Sequence, residues 1–543
     1  MTGAPLDVAA ALDPAGARDR PIVTDASFRA YAVQVGVCVR PLLRRLVDRE
    51  TGDTTIVPLA CGSTREHVCP SCAAAARRLR MQQCAEGWHL ADEPPGDGDA
   101  AQLDDDHDNE DQDDANDEDD EDPARRTRST RRRDDADDLP RLPVEDRTVG
   151  RTWTGNDGQT YRPSMFVTLT LPSYGRVDPA VGVPVDPGSY DYRRAALDAL
   201  HFGRLFDRWM QNLRRCAGYK VRYSAAIEAQ RRLAGHAHLA IRGAIPRTTL
   251  RAVTRATYVQ VWWPPHTTAV YDPDTTGWPT WDGEDYIDPD TWEPLPTWDQ
   301  ALAHLDTDPT ARPVHVARFG TQVDIKGLTG GTPDVDRAVR YLTKYLTKSV
   351  AATHARVDEH TGRPVEDPRM TAHVDRLHRE LRWLPCSERC ANWLRYGIQP
   401  KAPGPGQTPG RCPAPAHDRE NAGLGGRRVL ASRKWTGKTL TDHRADRATV
   451  VREALQAAGI QAPERDRCAA DVVCEDGSAR FVWEPVDRDR DGSVDYAAAI
   501  LTAARQRHTW RQQYEHAKRH ADNGPAPPDP ACGQPFGNDE EVA

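Results

Sequence analysis

Residues 92–122 hold eighteen Asp or Glu and no Lys or Arg, and no stretch constrains the fold of this 543-residue chain more. Like charges at that density repel and stay solvated, and they leave no apolar surface with which to offset the entropy of ordering. Six arginines follow between Arg125 and Arg133, so residues 91–150 read as a disordered acidic and Arg-rich linker. The chain must therefore fold on either side of it. Removing the eighteen negative charges changes the net charge from −10 to +8, so the remaining body is basic, which suits a nucleic-acid partner. A chain of this length holds two to four domains, since single cores rarely exceed ~250–300 residues. No apolar run approaches the ~20 residues of a membrane span, and the first thirty residues carry no signal-peptide core. The expected location is cytoplasmic, with no membrane partner.

The remaining segments divide by composition. Residues 1–30 are rich in Ala, Pro and Asp and read as disordered. Residues 31–90 form a cysteine-bearing module that ends in a helix around Ala73–Met81. Residues 151–352 carry strand and helix signals in alternation, with a Pro/Asp/Trp-rich insertion at 265–312. Phe166–Leu171 is a β-rich run stopped by Pro172. Residues 192–217 show apolar side chains at helical spacing, Leu197, Leu200, Leu205, Trp209 and Leu213 among them. Tyr223–Gln230 and His236–Arg242 read as two strands joined by a short turn, Val314–Ile325 as a further strand, and Asp336–Val350 as a helix capped near Asp334 or Asp336. Residues 353–446 form a second cysteine-bearing basic region. Residues 447–543 hold helical segments around 447–458 and 496–520, then a loose Pro-rich tail. The fold class is α+β, with an antiparallel sheet, packed helices and flanking metal-binding modules.

The chemistry concentrates in two short motifs. His236 and His238 are two apart on a strand, so both imidazoles point to one face. Glu228 on the preceding strand can join them across the hairpin, although a plain surface role for it stays open. Two imidazoles and a carboxylate with open positions suit Mg²⁺ or Mn²⁺ presented to a phosphate. A hundred residues on, Tyr341 and Tyr345 are spaced to share a helix face. In isolation they also read as an aromatic core stripe beside Leu342 and Leu346. A phenol has a pKa of ~10 and needs a cation to ionise at neutral pH, and Lys344 and Lys348 lie on the same segment. A phenolate that attacks phosphorus leaves a covalent phosphotyrosine and a free 3′-hydroxyl, and so conserves the phosphodiester energy for rejoining.

Phe166-Val-Thr-Leu-Thr-Leu171, Gly235-His-Ala-His-Leu239 and Tyr341-Leu-Thr-Lys-Tyr-Leu-Thr-Lys348 resemble, in that order, the three motifs of rolling-circle replication initiators of the HUH endonuclease superfamily, in their two-tyrosine form. Cys61-Gly-Ser-Thr-Arg65, Arg78-Leu-Arg-Met-Gln-Gln-Cys84 and Ser432-Arg-Lys-Trp-Thr-Gly-Lys-Thr439 are similar to stretches of initiators from actinobacterial plasmids and integrative conjugative elements. The resemblance covers roughly residues 31–90 and 150–450. It implies an HUH-type sheet with the histidines on a central strand and the tyrosine helix packed across it. It further implies site-specific nicking at a double-strand origin, a 5′-phosphotyrosine, a divalent ion and termination by a second transesterification. Origin DNA would be the substrate, with a host helicase and polymerase as partners. A two-tyrosine transposase shares these motifs. A zinc-dependent DNA-binding regulator without catalysis is the reading from another class. A conjugative relaxase fits less well, because its tyrosines usually precede the histidine motif.

The cysteines cluster in two sets that, in a reducing compartment, read as zinc sites. Cys61, Cys69 and Cys72 take Cys38 as the expected fourth ligand, with Cys84 and His89 as rivals. Cys386, Cys390, Cys412 and His417 form a Cys₃His set across a Pro/Gly-rich loop. Both are expected to be structural, turning basic residues such as Arg77, Arg78, Arg80, Arg411, Arg427 and Arg428 toward phosphates, with Lys348 beside the tyrosines. Two further stretches fail as motifs. Thr436-Gly-Lys-Thr439 lacks the first glycine of a phosphate loop, which would fall at Ser432. Asp487-x-Asp489-x-Asp491-Gly492 has Ala498 where a calcium loop needs a bidentate Glu.

Overall fold

In the computed structural model, residues 25–90 and 138–522 are described, apart from 146, 149–151, 155, 157, 159, 273, 275–276, 309, 331, 345, 347–355, 358–363, 366, 427, 433–434, 458–472, 475 and 487–495. The acidic block, Tyr345, Lys348, Arg427 and the Asp487–Gly492 stretch lie outside the described residues. The chain divides into two compact units. One runs from Arg80 to Lys438, and the other combines the chain up to Leu79 with the chain from Thr439.

The larger unit is built on a five-stranded antiparallel sheet. Its strands are β1 (Pro163–Thr170), β2 (Tyr223–Ala229), β3 (Gly235–Arg242), β4 (Val323–Thr329) and β5 (Val429–Ala431), in the spatial order β4-β1-β3-β2-β5. Every residue of β3 is buried, as a central strand covered on both faces requires. Odd-numbered side chains of β1 and β3 (Val167, Leu169, Ala237, Leu239 and Ile241) enter the main core. There they meet Leu205, Phe206, Trp209 and Leu213 of a long amphipathic helix. Even-numbered residues face the other side, where Ala226 and Ala240 join Val335, Val339, Leu342, Trp88 and Trp435 in a second core. The sheet is thus a two-faced layer, and the histidines, being even-numbered, lie on the second face.

Several element boundaries differ from the sequence expectation. The helix expected over 192–217 is two, α1 (Tyr192–Leu200) and α2 (Phe202–Ala217), separated at His201. The imidazole of His201 is buried with its ring 4.7 Å from that of Trp263. The apolar spacing runs on through this break because both helices bury a face in the same core. Val314–Ile325 divides into His315–Arg318, which pairs with Tyr258–Val261, and β4. Between them Gly320 donates its N–H to the Thr170 carbonyl at 2.7 Å, an approach so close that an added Cβ would stand 3.2 Å from that oxygen. The 265–312 insertion is ordered by the strand pair Thr280–Trp281 and Tyr286–Ile287 and by a helix at Trp298–Thr307.

The tyrosine-bearing helix, α3, spans Pro333–Leu342, well short of Val350. Pro333 at its first turn lacks only an N–H that has no helical partner, and the cap is Thr332, not an aspartate. At its other end the Thr343 hydroxyl donates to the Val339 carbonyl at 2.9 Å, a back-bonding that slightly destabilises the helix at that turn. Tyr341 lies in the last turn of α3, and its expected i, i+4 partner Tyr345 lies outside the described residues. α4 (Pro368–Trp383) starts from an Asp367 cap, whose side chain accepts the Arg369 N–H.

The smaller unit has a three-stranded antiparallel sheet with Leu42–Asp48 between Thr54–Leu59 and Phe481–Pro485. The two ends of the sequence thus share one sheet. Arg45 pairs with Glu484, and Arg480 with Asp48, across the strands. Helices Asp25–Val35 and Tyr496–Asp522 bring Phe28, Ala32 and Ile500 into contact, and Tyr31, Val35 and Ala504 likewise. Among the described residues, no helix is long and apolar enough to cross a membrane.

Candidate active site and metal centres

Strand register assembles the first site. His236 stands opposite Glu228 of β2 on one side and Thr170 of β1 on the other, and His238 stands opposite Thr168. Since cross-strand pairs bring Cβ atoms to ~5 Å, these side chains converge. One ligand atom each from Glu228, His236 and His238 lies within 4.8 Å of the others. The imidazole rings are 4.3 Å apart and nearly perpendicular, and His238 Nε2 is 3.1 Å from Glu228 Oε1.

Thr168 and Thr170 add what sequence reasoning missed. Thr170 Oγ1 is 2.7 Å from His236 Nδ1, and Thr168 Oγ1 is 3.0 Å from His238 Nδ1. With each Nδ1–H donating to a hydroxyl, both Nε2 lone pairs remain for a cation, the arrangement that fixes tautomer and ring orientation in metal-binding histidines. The signal was present in Phe166-Val-Thr168-Leu-Thr170, whose period of two matches that of His236-x-His238. Burial, with the charges of His238 and Arg232 added, pushes His236 down to about 3. It is therefore neutral at physiological pH and able to act as a ligand. The donor set of two imidazole nitrogens and one carboxylate fits a divalent cation of mixed N/O preference.

Tyr341 closes over this cluster from α3. Its ring meets His238 edge-on at 5.0 Å and Phe166 at 6.0 Å, while Phe166 stacks on His238 at 5.6 Å. Tyr341 nevertheless keeps 46% of its surface exposed. Edge-on ring contacts on one side and solvent on the other leave this side chain positioned yet accessible. Lys344 is exposed just past the helix end, where its N–H donates to the Tyr341 carbonyl.

The two cysteine sets are separate. In the smaller unit Cys38, Cys61, Cys69 and Cys72 converge within 4.8 Å. Cys38 Sγ accepts the backbone N–H of Arg40 at 3.4 Å and of Cys61 at 3.3 Å. Burial would raise the Cys69 thiol, but hydrogen bonds, led by the Cys72 and Val39 backbone, outweigh it and lower the pKa. Cys84 is buried in the other unit beside Trp88 and Trp435, and burial pushes it up to about 12, so it belongs to packing. In the larger unit Cys386, Cys390, Cys412 and His417 converge likewise. Contacts with Cys386 and Cys390 hold Cys412 far below the ordinary thiol range. Burial opposes a charge on His417, yet Cys390 and Cys412 overcome it and push it up to about 10. His417 Nδ1 donates to the Leu381 carbonyl at 2.7 Å, which leaves Nε2, 3.5 Å from Cys390 Sγ, toward the thiols. Thiolate-rich, four-donor sets of this kind can hold zinc.

Of the basic residues picked out by sequence, Arg77, Arg78 and Arg80 lie on the helix Pro70–His89. Arg77 and Arg78 lie in the smaller unit, and burial, with Arg447 and Arg507 nearby, lowers the pKa of Arg78. Arg80 donates to Gln83 Oε1 at 2.9 Å, and half-buried Arg428 donates to the Glu420 carbonyl at 3.2 Å. The Ser432–Thr439 stretch is a packing element. Its Trp435 is buried and donates to the Cys84 carbonyl, with the Arg242 guanidinium 5.1 Å from its ring.

Fold and sites together define an α+β protein that carries, among its described residues, a His/His/Glu group able to hold a cation beneath an exposed tyrosine and two thiolate-rich groups. Over residues 25–506 the chain matches the family described as replication initiator protein of pSAM2, RepSA, and it belongs to that family. It is similar to a replication initiator protein of Streptomyces ambofaciens, at 28% identity over 235 residues, covering 35% of this chain and 43% of that protein. The chain thus spans less than half the length of that relative. No solved structure matches it.

Proposed function

We propose that the protein initiates replication by nicking origin DNA with a tyrosine nucleophile and later rejoining the strand. The observation that carries this reading is the position of Tyr341, edge-on to His238 above the Glu228, His236 and His238 cluster. The phenolate oxygen of Tyr341, or of Tyr345, attacks the scissile phosphorus. The bond from phosphorus to the 3′-oxygen breaks, and that oxygen leaves as a 3′-hydroxyl after taking a proton. The 5′-phosphate stays on the tyrosine, so a second transesterification can restore the phosphodiester without ATP. Glu228, His236 and His238 would hold Mg²⁺ or Mn²⁺, which supplies charge withdrawal from the phosphoryl oxygens. Thr168 and Thr170 hold the imidazoles in register, Phe166 braces His238 and Tyr341, and Lys344 favours the phenolate. The two cysteine sets hold structural zinc.

His236→Ala in the full chain should abolish Mn²⁺-dependent nicking of supercoiled origin plasmid while the DNA mobility shift persists. Nicking at the wild-type rate in that variant would remove the cluster from the mechanism. A shift without nicking by the wild-type protein would favour a non-catalytic regulator.

A further inference from the structure

A cavity of about 490 Å³ lies in the larger unit, lined by none of the residues of the cluster described above. One wall is a face of α4, where Arg376, Arg379, Glu380 and Trp383 recur at i, i+3, i+4 and i+7. The opposite wall is Arg395 and Tyr396, from the 3₁₀ helix Ala391–Tyr396, and Arg193 of α1 completes it. Four guanidinium groups therefore face one carboxylate. Among the described residues, none of the four has a carboxylate within ion-pair distance. The Arg395 guanidinium lies 4.2 Å from the Trp383 ring centroid, and its buried Nε has no hydrogen-bond partner among the described residues. Arg193 is fixed by donating to the His266 carbonyl at 2.7 Å. Three of these cations are half-buried and Arg379 is exposed, and together they outnumber the one carboxylate that lines the cavity.

The Cys386, Cys390, Cys412 and His417 set lies at the joint between these walls. Cys386 and Cys390 occupy the link from α4 to the 3₁₀ helix, and His417 is bonded to the Leu381 carbonyl within α4. An ion held by these four residues would set the spacing of the two walls.

We propose that this cavity binds a nucleotide unit of single-stranded DNA, with the arginines on its phosphate and a guanidinium plane or Trp383 against its base. The volume falls in the ~300–1,000 Å³ range of small-ligand sites, which admits one nucleotide, whereas the convex backbone of a duplex cannot enter a concavity. Arginine forks match phosphate oxygens bidentately, and guanidinium and aromatic faces stack on unpaired bases. The assignment rests on the nicking reading only for its choice of DNA as the source of that nucleotide, since a free nucleotide offers the same phosphate chemistry.

Arg379 is exposed, so substituting it should leave the fold intact. The full chain, without added Mg²⁺ or Mn²⁺, is titrated against fluorescein-labelled oligo(dT) by anisotropy over a range of salt. R379E should weaken binding on the order of tenfold and lower the slope of log K against log[salt] by about 0.7 for the lost phosphate contact, while R379K stays near wild type. R395Q, which removes charge from the half-buried opposite wall, should act in the same direction. Unchanged affinity and slope in both R379E and R395Q would overturn the proposal. Competition arms with dAMP and inorganic phosphate separate the sources. Saturation of the pocket by dAMP, with oligo(dT) binding indifferent to R379E, would assign it to a free nucleotide and overturn the DNA assignment. A wild-type protein that forms no tyrosine adduct on origin DNA would remove the nicking reading and leave the oligo(dT) result standing.

Discussion

At the scale of single residues, the threonines of β1 decide how the histidines meet a cation. An imidazole free to rotate presents either nitrogen and loses entropy on binding, whereas one whose Nδ1 is tied to a hydroxyl is already aimed. Residues that orient metal-binding histidines typically contribute 10–100-fold in affinity. Thr170→Val keeps the β-branched shape and removes the Oγ1 acceptor, which lies 2.7 Å from His236 Nδ1. The Mn²⁺ concentration for half-maximal nicking should rise about tenfold, with the rate at saturating Mn²⁺ largely retained. A rate that falls while the Mn²⁺ midpoint stays fixed would place Thr170 elsewhere in the mechanism. Burial keeps His236 neutral down to about pH 3, so its coordination does not compete with a proton at physiological pH.

At the scale of elements, the helix Pro70–His89 shows how close approach fixes a packing choice. A Cβ added at Gly87 would stand 2.3 Å from the Trp435 ring and 2.6 Å from the Trp435 carbonyl oxygen. Alanine gains ~1 kcal/mol over glycine in a helix interior, but overpacking costs ~1–3 kcal/mol or more. Because one of the contacts is backbone, a rotamer change cannot relieve it. Gly87→Ala should therefore destabilise the larger unit and lower its melting temperature by a few degrees, measured by calorimetry. A raised melting temperature would show that the Trp435 segment yields. This contact was invisible in the sequence, since nothing in Ser432–Thr439 names its partner more than three hundred residues away. Local signals read better. The period of two in Phe166–Leu171 and in His236–Arg242 places both strands, and their register then converges Glu228, His236 and His238. Helix ends were less legible. The break at His201 goes with burial against Trp263, which no local pattern encodes. The arginines of the cavity beside α4 escaped notice for the same reason. Arg193, Arg376 and Arg395 come from three separate elements.

At the scale of the whole molecule, the two ends of the chain share one small sheet, and each unit carries one cysteine-rich set. Small modules with loop-borne ligands depend on the metal for their folding energy. Atomic emission on the purified protein should find two zinc equivalents per chain. Cys61→Ser and Cys412→Ser should each lose one equivalent without affecting the other, because the two sets belong to separate units. Loss of both equivalents in either variant would contradict independent sites. The central claim, that a tyrosine beside the histidine cluster carries the DNA, has a direct test. Origin DNA labelled on the 3′ side of the nick is incubated with protein and Mn²⁺, and the covalent product is isolated under denaturing conditions and mapped by peptide mass spectrometry. A 5′-phosphotyrosine is expected on the peptide bearing Tyr341 and Tyr345, absent when both are changed to Phe although DNA binding remains. An adduct that survives the double substitution, or nicking with no adduct at all, would contradict that claim.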